Sequence, residues 1–123
     1  MEEERANRRE AIGESSAYVV PDREFSSRAA ITVAIDNRQP METRRKMVSW
    51  LHEHEPTLIA PLYDVLEDRP MKRYVLEYLA KLDNEKVSKK LLEIARGDSD
   101  PEMRQVAAAS LRAHTNAFAR SYR

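Results

Sequence analysis

The most conspicuous cluster of groups able to do metal or acid–base chemistry is a run of two imidazoles and two carboxylates, His52-Glu53-His54-Glu55. A helical zinc site takes ligands at i and i+4, on one face. At i and i+2 the imidazoles point about 200° apart and cannot share an ion. The run is therefore expected to form a solvated helix end, where histidine complements the helix dipole. The third histidine, His114, stands alone in the sequence. Nucleophilic catalysis has no better footing. Cysteine is absent, no Gly-x-Ser-x-Gly elbow occurs, and Ser15, Ser16, Ser26 and Ser27 lie in a polar stretch without a positioned histidine. Gly13 and Gly97 are isolated, so no glycine-rich loop can cradle a phosphate. Asp98 and Asp100 read better as a capped turn than as an acid and base. No catalytic, metal or cofactor-binding residue is assigned, and a non-enzymatic protein is expected.

Groups suited to binding are more numerous. Lys46 and Trp50 align with Tyr74 and Tyr78, each pair one helical turn apart beside an apolar stripe, with Arg45 and Arg73 alongside. A surface patch of Trp50, Tyr74, Tyr78 and these arginines has hot-spot composition for a protein partner. The competing reading is that the aromatics fill space between packed helices. A second candidate is basic: Arg44, Arg45, Lys46, Lys72, Arg73 and Arg104 lie near helix starts, and the run from Met103 to Arg123 holds four arginines and no acid. Such a patch would suit nucleic-acid phosphates, as the less favoured alternative.

The whole composition bounds both readings. In 123 residues, 21 Lys plus Arg balance 21 Asp plus Glu, so any affinity for nucleic acid or anionic lipid must come from a local patch. Without cysteine there are no disulfides and no thiolate-bound zinc. No apolar run approaches the roughly 20 residues that span a bilayer, and the start Met-Glu-Glu-Glu-Arg has the wrong charge for a secretory signal. No membrane association and a cytoplasmic location are expected.

The elements that must position these residues are helical. Residues 1–20 form a polar arm, relieved only by Ala17-Tyr18-Val19-Val20 before Pro21, a stretch able to pin the arm to the body. Residues 21–123 form the folded domain. Asp22 to Asp36 fits a helix, although Ile31, Val33 and Ile35 alternate like a strand, because a lone strand would have no partner. A helix opens at Pro40-Met41 with Met47, Val48 and Leu51 on one face. The next starts at Pro56 and carries Pro61, which should kink it or restart its first turn. Pro70 begins a helix with Val75, Leu76 and Leu79; Asp83-Asn84 begins another that Gly97 stops; and Asp98-Ser99-Asp100-Pro101 caps a last one running through Val106, Ala107, Leu111 and Phe118.

Aligning the proline-initiated helices exposes a repeat. Arg45, Arg73 and Arg104 recur 28 and then 31 residues apart, with one helix pair per unit and Asp-rich, Pro-containing turns. That period marks an α-solenoid, in which each pair buries its apolar face only by stacking on the next. The run Asp98-Ser99-Asp100-Pro101-Glu102-Met103-Arg104-Gln105-Val106-Ala107-Ala108 resembles the turn and second helix of HEAT repeats, in particular the short repeats of bacterial and archaeal proteins. The resemblance covers roughly residues 22 to 118. It implies an all-α, right-handed solenoid of about three antiparallel helix pairs acting as an interaction scaffold. It also implies a ladder in which Asp68 or Asp100 pairs with Arg45, Arg73 or Arg104. The expected mode of action is docking of a protein partner on the second-helix face through Arg45, Lys46, Trp50, Arg73, Tyr74, Tyr78 and Arg104. A homodimer through the solenoid ends is the further possibility.

Overall fold

The computed structural model describes residues 23–122, with side chains from residue 27 onward; the arm of residues 1–20 lies outside that range. Among the described residues there are seven α-helices and no strand: α1 (Arg23–Ile35), α2 (Met41–His54), α3 (Ile59–Val65), α4 (Arg69–Lys81), α5 (Glu85–Gly97), α6 (Pro101–Ala113) and α7 (Ala117–Arg120). A 3-10 turn, Pro56–Leu58, leads into α3.

Local chemistry sets the helix starts. Asp68 accepts a hydrogen bond from the Met71 amide, Asn84 from Val87, Asp100 from Glu102 and Asn116 from Ala119. Each such cap satisfies an otherwise orphaned amide and contributes about 1 kcal/mol. Pro70 and Pro101 occupy first-turn positions whose amides have no intrahelical partner anyway. Pro61 sits likewise in the first turn of α3, which is why the 3-10 turn and the α-helix meet just before it.

The helices pair as α1–α2, α3–α4 and α5–α6, and α7 packs on α5 and α6. Successive second helices also meet, α2 against α4 and α4 against α6, so the pairs stack into a short solenoid. The core runs continuously through the stack, with Leu51, Ile59, Leu62, Met71, Leu76, Leu79, Leu91 and Met103 all fully buried. Burying each of these large side chains is worth roughly 1.5–3 kcal/mol. The segment with mixed periodicity is helix α1, because Ala30 and Ala34, one turn apart, are buried. Small side chains there let α1 lie close to α2.

Helix α5 ends at Gly97 as expected, although Gly97 is not in the left-handed conformation. The chain leaves α5 through the extended backbone of Asp98 and the proline that follows. The last helix does not reach Phe118: α6 ends at Ala113, His114 is extended, and Asn116 caps the separate helix α7. Asp83 causes the break by accepting from the Thr115 amide and hydroxyl and from the Asn116 amide and side chain, at 2.7–3.1 Å.

Candidate functional site

The caps define the true register of the repeat. Pro40, Asp68 and Asp100 precede the three second helices, and counting from them brings Leu51, Leu79 and Leu111 into line. In this register Arg104 corresponds to Arg44 and Lys72, one place from the alignment that matched it with Arg45 and Arg73.

That shift decides the ladder. Arg44, only 2% exposed, donates through Nε to the Ala34 carbonyl at 2.9 Å and forks both terminal nitrogens onto Asp68, at 2.7 and 3.2 Å. One guanidinium thus ties the end of α1 to the cap of α4. Asp100 pairs with Arg69 at 2.5 Å, and Arg69 also reaches Glu102 at 2.6 Å. The expected carboxylates are therefore the ones used, but their partners are Arg44 and Arg69 rather than Arg45, Arg73 or Arg104. A one-residue step on a helix turns a side chain by about 100°, which takes Arg45 out of reach. Arg104 keeps the half of the clamp within its own pair, donating to the Asp98 carbonyl at 2.6 Å. In the middle pair Lys72 instead lies over the Tyr63 ring, 4.7 Å from its centroid, while the Tyr63 hydroxyl donates to Asp98 at 2.6 Å. Burial, reinforced by that bond, raises the Tyr63 phenol well above its ordinary pKa.

Four of the residues singled out for binding converge where α2 meets α4. The exposed Arg45 stands over the Tyr74 ring at 5.2 Å. Tyr74 and Tyr78 meet edge to face at 5.3 Å with their hydroxyls 3.1 Å apart. Arg73 joins Glu77 at 3.2 Å and Glu102 at 3.6 Å, linking this face to α6. Burial, then the bond to Tyr78, pushes the Tyr74 phenol up to about 12, so it stays neutral at physiological pH. Two members of the cluster carried no binding signal in the sequence. His52 packs 4.7 Å from Tyr78, and Lys81 lies over the same ring at 4.9 Å. Both rings are half-buried against the core, so each tyrosine serves packing with one edge and faces outward with the other.

The remaining three lie apart. Trp50 stacks on His54 at 4.4 Å, and the His54 Nδ1 donates to the Trp50 carbonyl at 3.0 Å. Lys46 is exposed on the same side of α2, and Arg104 serves its turn. The two imidazoles of the His-Glu-His-Glu run thus have different neighbours. Of the six cations grouped as a phosphate-binding patch, Arg44 is buried in its clamp, and Arg73, Lys72 and Arg104 have the partners given above. Only Arg45 and Lys46 are exposed.

A serine–histidine pair also forms, which spacing could not reveal because its members are far apart in sequence. The Ser88 hydroxyl is 2.6 Å from His114 Nδ1, and Nε2 donates to the Ala80 carbonyl at 3.1 Å. The carbonyl bond sets the proton on Nε2, so in the neutral ring Ser88 donates to Nδ1 and accepts from Asn116 at 2.8 Å. Both residues are closed off from solvent, and no substrate can reach the hydroxyl. The Ser88–His114 bond lies inside the third pair, and the Ala80 bond ties that pair to the one before it, so together they form an interior strut. Among the described residues no three potential ligands group as a metal site, and no helix is long and apolar enough to cross a membrane.

Stacked helix pairs, a carboxylate-capped turn before each later second helix and an arginine clamp between pairs define a short α-solenoid. The sequence model of one family, HEAT repeats, matches residues 21–112, and the chain belongs to that family. HEAT repeats are commonly protein-interaction scaffolds. No curated protein and no solved structure matches the chain.

Proposed function

We propose that the chain is a non-enzymatic docking module that holds a protein partner on the face shared by α2 and α4, with Arg45, Tyr74 and Tyr78 as anchors and Arg73 at the margin. The observation that carries this reading is the exposed Arg45 held over Tyr74, beside Lys81 held over Tyr78. Two cations fixed on aromatic faces lose little conformational freedom on binding, which is the quality of a hot spot. The matching partner surface presents carboxylates to Arg45 and Lys81 and an apolar side chain to the tyrosine edges. Lys46, Trp50 and Arg104 are left out of the anchor set because they lie on other sides of the stack.

The test is capture of the partner from the native host by the wild-type chain, followed by direct binding of the identified protein to Arg45→Glu and Tyr74→Ala. Each is expected to weaken binding by tenfold or more, about 1.4 kcal/mol, with Arg45→Glu leaving the melting temperature unchanged. Undiminished binding by both variants overturns the proposal. Generic duplex DNA at low salt is expected not to bind, since only two of the six grouped cations stand exposed.

A further inference from the structure

Each second helix presents one side to the next, and register shows which side that is. On α2 the residues five and twelve places after the cap, Arg45 and His52, reach Tyr74 and Tyr78 of α4. On α4 the same places hold Arg73, which pairs with Glu102, and Ala80, whose carbonyl accepts from His114 Nε2. On α6 they hold Gln105 and Arg112, and both are exposed. Between them Ala108 is half-buried, where its counterparts Val48 and Leu76 are wholly enclosed. Helix α7 leaves these residues uncovered and repeats the opening of α5 instead. Asn116 caps it through the Ala119 amide as Asn84 caps α5 through that of Val87, and Ala119 is buried as Val87 is. The end of the stack therefore has the form of a further junction, with its first-helix half begun and its second-helix half exposed.

The clamp at this end is half made. Arg44 bonds one carbonyl and forks onto Asp68, the cap of the following second helix. Its counterpart Arg104 bonds the Asp98 carbonyl at 2.6 Å, and among the described residues no carboxylate pairs with Arg104 or with Arg112. From Met103 to Tyr122 the chain carries Arg104, Arg112 and Arg120 and no acid. We infer that this side of α6 is a second docking surface, which takes a helix of a partner protein that begins with a carboxylate cap. Arg104 grips the cap carboxylate, and Arg112 grips a second acid farther along. The stack itself supplies the spacing. Arg44 meets Asp68, His52 meets Tyr78, and Tyr78 stands ten residues after Asp68, so the two acids of the incoming helix stand ten residues apart. A second copy of this chain fits poorly. Two such ends face to face oppose like charges, and a copy stacked head to tail brings Pro40, which has no carboxylate for the clamp.

The probe is a stapled synthetic helix of about 15 residues that starts with Asp, carries Glu ten residues later and is otherwise Ala, Leu and Gln. The staple supplies the helicity that so short a peptide lacks. Its binding to the full-length chain is read by fluorescence anisotropy at low salt, where exposed charges act most strongly. Wild type is expected to bind, and Arg104→Gln and Arg112→Glu are each expected to weaken binding by about tenfold with an unchanged far-ultraviolet helical signal. Lys in place of the Glu of the probe should restore binding to Arg112→Glu, which a merely destabilised chain could not show. Arg45→Glu should bind the probe as wild type does, because Arg45 belongs to the face shared by α2 and α4. No binding up to about 1 mM, equal binding of a probe with Asn and Gln in place of its two acids, or loss of binding in Arg45→Glu would each sink the inference. Concentration-dependent self-association of the wild-type chain that the probe reverses would overturn it in favour of a second copy as the occupant.

Discussion

A guanidinium that is 3% exposed is tolerated in the interior of this protein because three of its donors are used, two on one carboxylate and one on a carbonyl. The partners are unequal, since the Asp68 side chain is 24% exposed. Removing the carboxylate strands a buried charge and a helix cap together, whereas removing the cation leaves a carboxylate that water can still reach. Asp68→Ala is therefore expected to cost about 3 kcal/mol or more, and Arg44→Met distinctly less, as read by chemical denaturation. Arg44→Lys is expected to fall between wild type and Arg44→Met, because an ammonium cannot fork onto both oxygens. The resemblance to HEAT repeats named the ladder carboxylates, Asp68 and Asp100, and missed their arginines, Arg44 and Arg69. Arg44 and Arg45 are adjacent and identical, and only the angle around the helix, fixed by where Pro40 ends the turn, separates a buried clamp from an exposed anchor. The Ser88–His114 strut was illegible for another reason, since tertiary packing alone brings those residues together.

The helices themselves were legible wherever capping chemistry and apolar spacing agreed, as at Asp68, Asn84 and Asp100. They were misread where a loop carboxylate overrode propensity, as when Asp83 breaks the alanine-rich stretch before Phe118. That carboxylate gives the elements an acid sensitivity. Hydrogen bonds from Thr115 and then Asn116 hold Asp83 well below the usual carboxylate range. Arg38 lowers Asp36 to about 2, and Arg69 lowers Asp100. Groups with a depressed folded-state pKa stabilise the fold above the ordinary value of 3.8 and lose that contribution as pH falls toward the folded-state value. The melting temperature should stay level between about pH 7 and pH 5 and decline from about pH 4 downward. Asp83→Asn should melt lower at neutral pH and show a shallower acid decline. The end of α5 offers an opposite change. A Cβ on Gly97 would meet nothing within 4 Å, and the backbone there is ordinary for any residue. Gly97→Ala should therefore raise stability by about 0.5–1 kcal/mol, measurable as a higher denaturation midpoint.

Across the whole molecule, stability is a sum over pairs and the junctions between them. The middle of the stack is filled by leucine, isoleucine and methionine, while α1 contributes the small Ala30 and Ala34 to the core. Backbone amides of α1 are expected to exchange with deuterium well before those of α4 and α5, and a single uniform exchange rate across the helices would contradict this. The period and the Asp-Pro turns made the solenoid legible at this scale.

The two junctions of the stack are also built from different materials. The first is sealed by a buried ion pair and aromatic rings, which dissolved ions hardly reach. The second adds the solvent-facing pairs of Arg69 with Asp100 and Glu102 to the buried strut of Ser88, His114 and Ala80. Mobile ions weaken charges of that second kind and leave the first almost untouched. Raising ionic strength should therefore trim the stability contributed by the second junction more than that of the first, while the strut of Ser88, His114 and Ala80 keeps the third pair seated on the second.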